Sequence, residues 1–104
     1  MTKVSRKPLS AGELKEIENQ FWNAISKLKS PSEIKLFFLD LLTHTERKML
    51  SKRLQIARML LREESYMAIR KRLHVTDITI AKINNWLNSF GDGYRLAVEK
   101  LEKE

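Results

Sequence analysis

Three stretches of this 104-residue chain share one form: a hydroxyl residue, two further residues, a glutamate, and then an apolar run. They are Ser10-Ala11-Gly12-Glu13, Ser30-Pro31-Ser32-Glu33 and Thr43-His44-Thr45-Glu46. In such a capping box the hydroxyl accepts from the backbone N–H three residues on, and the glutamate accepts from the N–H of the hydroxyl residue. Each box therefore opens a helix. Pro31 falls at a first helical position, where its missing N–H is not needed. Helix starts repeated at this density predict an all-α fold of about six helices.

The first helix is expected from Ser10 to about Lys29, with Leu14, Ile17, Phe21, Ile25 and Leu28 on one stripe and Trp22 and Ala24 widening it. The second, about 31–42, carries Ile34, Leu36, Phe37, Phe38, Leu39, Leu41 and Leu42. It is apolar nearly all round, and a helix of that kind must be covered on most sides. A 104-residue monomer buries only about two-thirds of its unfolded surface. A second copy is the natural cover, so an extensive, helix-exchanging homodimer is expected. Asp40 reads as an exposed or capping acid, or as a partner for Lys52 or Arg53 across that dimer. The third helix, about 45–62, turns Met49, Leu50, Leu54, Ala57, Leu60 and Leu61 inward, with Arg47, Lys48, Lys52, Arg58 and Arg62 largely outward.

From Ser65 to Leu87 the chain reads as two short helices joined by a tight turn. Met67, Ile69 and Leu73 are the apolar positions of the first, and Ile80, Ile83 and Leu87 those of the second. Val75 plugs the angle between them, and Thr76 supplies an N-cap hydroxyl just before Asp77, an acid suited to the positive end of a helix. This is the pattern of a helix-turn-helix, whose second helix lies in the DNA major groove. His74 stands where such turns often carry Gly, so it is expected at positive φ, which His tolerates better than most residues. The other reading of the same stretch is an ordinary helical hairpin inside a bundle. Gly91 and Gly93 suit a C-cap and turn, and Tyr94, Ala97, Val98 and Leu101 a short last helix packed on the first helix or on the partner.

Charge separates those two readings. The net charge is +7, and residues 44–82 hold ten Lys or Arg against four acids, a local excess of +6. Residues 1–43 contribute +2 and residues 83–104 contribute −1. The excess thus coincides with the hairpin and the helix feeding it, where a polyanion would be met. Cysteine is absent and there are two histidines, which excludes disulfides, thiolate metal sites and histidine clusters; no cofactor is expected. Neither a membrane-length apolar run nor the apolar core of a signal peptide occurs, so a soluble cytoplasmic protein is expected. No nucleophile-and-base pair or phosphate-binding glycine loop is found, and an enzyme is not expected. Residues 1–9 read as a flexible basic arm, and residues 10–104 as a single helical domain for dimerisation and DNA binding.

From Leu41 to Leu87 the chain also resembles the tryptophan-repressor superfamily, through LLTHTER, KRLQIARMLLR and ESYMAIRKRLHVTDITIAKINNWL. TIAKINNWLNSFGDGY is similar in particular to its YerC/YecD branch. The resemblance implies an intertwined homodimer that binds operator DNA and represses transcription. It also implies positions matching the tryptophan pocket: Thr43, Arg53, Lys82, Ile83 and Trp86. Lys82 stands where the repressor has a ring-stacking arginine, Ile83 where it has a glycine, and Trp86 where it has a serine. Tryptophan is therefore not the expected effector, and Ile83 and Trp86 are expected to occupy the pocket themselves; no other effector is assigned. Base-contact candidates are Thr76, Asp77, Ile78, Thr79, Ala81 and Lys82; phosphate-contact candidates are Tyr66, Arg70, Lys71 and Arg72. The alternatives are a helical protein-interaction module and a non-specific nucleic-acid binder, with RNA disfavoured because the aromatics are assigned to the core or to the partner.

Overall fold

The computed structural model describes residues 8–103, which form six α-helices and no strand. Residues 1–7 of the expected basic arm lie outside the described residues. The described residues gather into two compact units, one ending at Leu41 and one beginning at Leu42.

The first unit holds α1 (Ala11–Ser26) and α2 (Pro31–Leu41). Ser10 opens α1 as its spelling predicts: its Oγ accepts from the Glu13 N–H at 3.1 Å, and Glu13 Oε1 accepts from the Ser10 N–H at 3.1 Å. Those bonds, the backbone one foremost, hold the Glu13 carboxyl below its ordinary range. α1 stops at Ser26, short of Lys29. The Ser26 hydroxyl donates to Asn23 O at 2.7 Å, and Lys27 and Leu28 make only tightened bonds to Ala24 O and Ile25 O. The next box is displaced by one residue. Ser30 Oγ accepts from the Glu33 N–H at 3.2 Å as expected, but the Glu33 carboxylate takes the Lys29 N–H at 2.9 Å instead of that of Ser30. Phe21 and Phe37 meet at 6.2 Å between the two helices, and Phe38 sets its ring edge-on to Phe37 at 5.4 Å. No residue of either helix is buried. The apolar stripe expected to face inward, Leu14 and Ile17 included, is half exposed in the single chain.

The second unit is built on α3 (His44–Leu61), against which α4 (Tyr66–Leu73), α5 (Asp77–Ser89) and α6 (Asp92–Glu102) pack. Its core is Ile56, Ala57, Met59, Ile69, Ile80, Ile83 and Leu87, with Leu60, Leu61, Leu73 and Val75 partly buried around it. The buried residues of α3 all fall in its second half, and Ile56 and Met59 join Ala57 there. Met49 and Leu50, expected inward, are exposed in the first half. The last helix packs on α3. Glu102 of α6 accepts from Arg58 Nε at 2.9 Å and from Arg62 Nη2 at 2.8 Å, and these bonds hold its carboxyl down to about 2, Arg58 contributing most.

Besides the turn at His74, two chain reversals carry left-handed backbone. Glu63 (φ 61°) closes α3 in a Schellman arrangement, its own N–H donating to Leu60 O at 2.9 Å and that of Glu64 to Met59 O at 3.0 Å. In the sequence, Glu63-Glu64 marks only an interruption of the helical pattern. Gly91 (φ 79°) separates α5 from α6. A Cβ there would lie 2.7 Å from Arg95 Nη1 and 2.9 Å from Leu87 Cα, so no larger residue fits. Arg95 comes that close because Nη1 donates to Leu87 O at 2.9 Å and to Phe90 O at 3.3 Å, satisfying carbonyls that the end of α5 leaves open. Gly93, expected in the turn, is inside α6.

Candidate nucleic-acid interface

Ser65 caps α4, its Oγ accepting from the Ala68 N–H at 3.1 Å. The helix ends at His74, which holds φ 54°, ψ 53° and donates its N–H to Arg70 O at 2.9 Å. The imidazole position thus takes the left-handed conformation that its place in the pattern requires. Thr76 then caps α5: its Oγ1 accepts from the Thr79 N–H at 3.3 Å and lies 3.2 Å from Thr79 Oγ1. Val75 packs against the core between the two helices. Ile80, Ile83 and Leu87 bury one face of α5, as their spacing demands. The two helices and the turn expected over Ser65–Leu87 are present, except that Met67, expected inward on α4, is exposed.

Several residues of α5 and its N-cap line a cleft. Thr76, Thr79, Lys82, Ile83 and Trp86 line a cleft of about 660 Å³, closed on its other sides by Met49, Lys52, Arg53 and Ile56 of α3, by His74 and Val75, and by Tyr94 of α6. Asp77 and Ile78 are exposed, Ile78 at 69 %, and Ala81 is partly buried. Of the six base-contact candidates, Thr76, Thr79 and Lys82 line the cleft, whereas Asp77, Ile78 and Ala81 do not.

Of the phosphate-contact candidates, Lys71 and Arg72 are exposed, with no acid at ion-pair distance among the described residues. Tyr66 is half buried against the core. Arg70 is already engaged, its Nη1 donating to Asp77 Oδ1 at 2.7 Å across the turn. An exposed pair of this kind contributes about 0.2–1 kcal/mol. Asp77 is thereby occupied by Arg70, and Thr76 does the capping.

Four of the five pocket positions implied by the resemblance, Arg53, Lys82, Ile83 and Trp86, do line the cleft. Thr43 does not: it caps α3, with its Oγ1 accepting from the Glu46 N–H at 3.1 Å and Glu46 Oε1 accepting from the Thr43 N–H at 2.8 Å. That arrangement holds the Glu46 carboxyl below its ordinary range. The filling expected of Ile83 and Trp86 is incomplete. Ile83 is buried at the cleft wall, but Trp86, though it lines the cleft, is 53 % exposed and has its ring against Phe90 at 4.6 Å. Met49, Lys52, His74 and Tyr94 line the cleft without having been singled out for it by the sequence. The 49–52/53–56 spacing on α3, one stripe of a helix, is a signal for the first two.

An α-helical unit with a capped helix-turn-helix, an exposed basic face on α4 and a cleft beneath α5 defines a class of helical DNA-binding fold. Residues 16–102 match the family described as Trp repressor protein, and the chain belongs to that family. It is 34 % identical over 89 residues to the uncharacterized protein YerC of Bacillus subtilis (strain 168), covering 86 % of this chain and 85 % of that one. A crystal structure of a candidate Trp repressor from Staphylococcus aureus superposes with a TM-score of 0.78 at 26 % identity, over 93 % of this chain and 98 % of that one. The resemblance to the YerC-like branch is thereby upheld. Among the described residues no helix is long and apolar enough to cross a membrane.

Proposed function

We propose that this protein is a cytoplasmic, sequence-specific regulator of transcription, a repressor without enzymatic activity, that binds double-stranded DNA as a homodimer through α4 and α5. The observation that carries this reading is the helix-turn-helix. Ile69, Ile80, Ile83 and Leu87 are committed to the core, while Ile78, Asp77, Lys71 and Arg72 remain exposed on the most basic part of the chain. Lys71 and Arg72 suit phosphates. Ile78 suits a thymine methyl, and Lys82 and Thr79 suit base edges at the margin of the cleft. The homodimer follows from the first unit, where two helices rich in Leu, Ile, Phe and Trp bury no residue in the single chain.

Selection of binding sites from random duplex DNA tests this function. A two-fold dimer should enrich a palindrome with half-sites about one helical turn apart. Replacing Lys71 or Arg72 by Ala should weaken binding to all sequences alike and reduce the salt slope by about 1 for each phosphate left unneutralised. Weak, salt-sensitive binding without enrichment would favour the non-specific alternative. The exposed Trp86–Phe90 pair supports the remaining one, a module that meets a protein partner, and that reading requires no duplex binding.

Tryptophan is not the proposed effector. Lys82 lacks a planar guanidinium to stack on an indole, and Ile83 and Trp86 narrow the cleft on the α5 side. Calorimetric titration with tryptophan should give no binding heat. Micromolar affinity would overturn this part of the proposal.

A further inference from the structure

Between Ser65 and Leu87 the chain carries four cationic side chains, Arg70, Lys71, Arg72 and Lys82, and one acid, Asp77. That acid is the first residue of α5, the end of a recognition helix that contacts base edges. A carboxylate there opposes the approach of phosphates. It also removes a cation from the interface, because Arg70 Nη1 donates to it at 2.7 Å from the last turn of α4. Lys71, Arg72 and Lys82 have no such partner among the described residues.

The turn does not depend on this pair. It is already held by His74 N–H to Arg70 O, by the Thr76 cap and by Val75 in the core. Both side chains of the pair face solvent, at 40 % and 59 % exposure, so the pair is weak and exchangeable. An ionised carboxylate accepts hydrogen bonds and donates none. In the major groove it finds donors only on exocyclic amines, cytosine N4 and adenine N6. Guanine O6 and N7 and thymine O4 offer it nothing.

Resting on the DNA-binding function above, we propose that Asp77 is a specificity-determining residue. On unselected DNA it keeps Arg70 from the phosphates. At a site that presents an amino group to it, the carboxylate turns to the base and Arg70 is released to the backbone. One weak pair is exchanged for two charge-assisted hydrogen bonds, and only adenine or cytosine on the strand facing Asp77 permits the exchange.

The test compares wild type, Asp77→Asn and Asp77→Asn/Arg70→Gln on a random-sequence duplex and on the site that wild type selects, over a range of salt. Asp77→Asn should bind the random duplex about threefold to tenfold more tightly, with a salt slope steeper by about 0.9, the increment for neutralising one further phosphate. It should also relax base preference at one position in each half-site. Adding Arg70→Gln should abolish the tighter binding. If Asp77→Asn loses its helical circular dichroism, Asp77→Ser serves the same comparison. Unchanged or weaker binding to the random duplex, accompanied only by a lower melting temperature, would make the pair a fastening of the turn and overturn the proposal. Wild type that binds no duplex overturns the DNA-binding function, and this proposal with it. The two failures are distinguished by the behaviour of wild type alone.

Discussion

Gly91 and His74 meet the same backbone demand with opposite chemistry. Both hold positive φ, 79° and 54°. For an L-residue the left-handed region costs about 1–2 kcal/mol. His74 is exposed, so its side chain has room and the cost is conformational alone. Gly91 is buried under Arg95 and against Leu87, so a side chain there meets both strain and collision. Gly91→Ala should therefore destabilise the protein by about 2 kcal/mol or more. Chemical denaturation would measure it, and a loss below about 0.5 kcal/mol would show that Arg95 yields freely. His74 is recognisable in the sequence because the helix-turn-helix pattern puts a named position at positive φ. Glu63 is not, because a glutamate carries no mark of left-handed backbone; its conformation follows from how the end of α3 closes.

Helices in this chain begin where local chemistry begins them and end where neighbours allow. The Ser10 and Thr43 boxes form as spelled, each within four residues. The Ser30 box slips because Lys29 offers its N–H to the same carboxylate. Between elements, α6 is tied to α3 by Glu102, whose two arginines lie 44 and 40 residues upstream. No short-range pattern announces such a tie. Its carboxyl titrates near 2 in the folded chain, below the ordinary 4.5. A depressed pKa of this kind contributes stability above the ordinary value that is lost as the pH falls toward about 2. Glu102→Gln should thus lower the melting temperature slightly at neutral pH, since the pair is solvent-screened, and the difference from wild type should close between about pH 4.5 and 2. A pH-independent difference would show that the ion pair is not the source. The shifts of Glu13 and Glu46 act in the same direction but are common to both proteins, so they cancel in this comparison.

At the scale of the molecule the two units differ in kind. The unit from Leu42 on has a closed core of isoleucine, methionine, leucine and alanine under its helix-turn-helix. The unit ending at Leu41 has aromatic contacts but no buried residue among its described ones, and Trp22 and Leu36 are 61 % and 67 % exposed. Apolar surface of that extent on two helices calls for a partner, which in the proposed homodimer is a second copy. In the proposed homodimer, a two-fold axis would turn one helix-turn-helix into a reader of palindromes. The enriched half-site spacing in a selection experiment is accordingly a measurement of the dimer as much as of the hairpin.

Helix number, the starts at Ser10 and Thr43, the buried stripe Ile80–Ile83–Leu87 and the left-handed His74 are all readable in linear order. Each depends on atoms a few residues apart, and short-range hydrogen bonding and 3.6-residue periodicity write such features directly into the chain. The burial of Ile56 and Met59 in place of Met49 and Leu50, the cleft that stays open beside Trp86, and the capture of Arg70 by Asp77 are not readable that way. An apolar or charged residue specifies only that it needs cover or a counter-charge. Which neighbour answers is settled when distant segments are brought together, and in this protein that choice determines which side chains of α5 remain exposed.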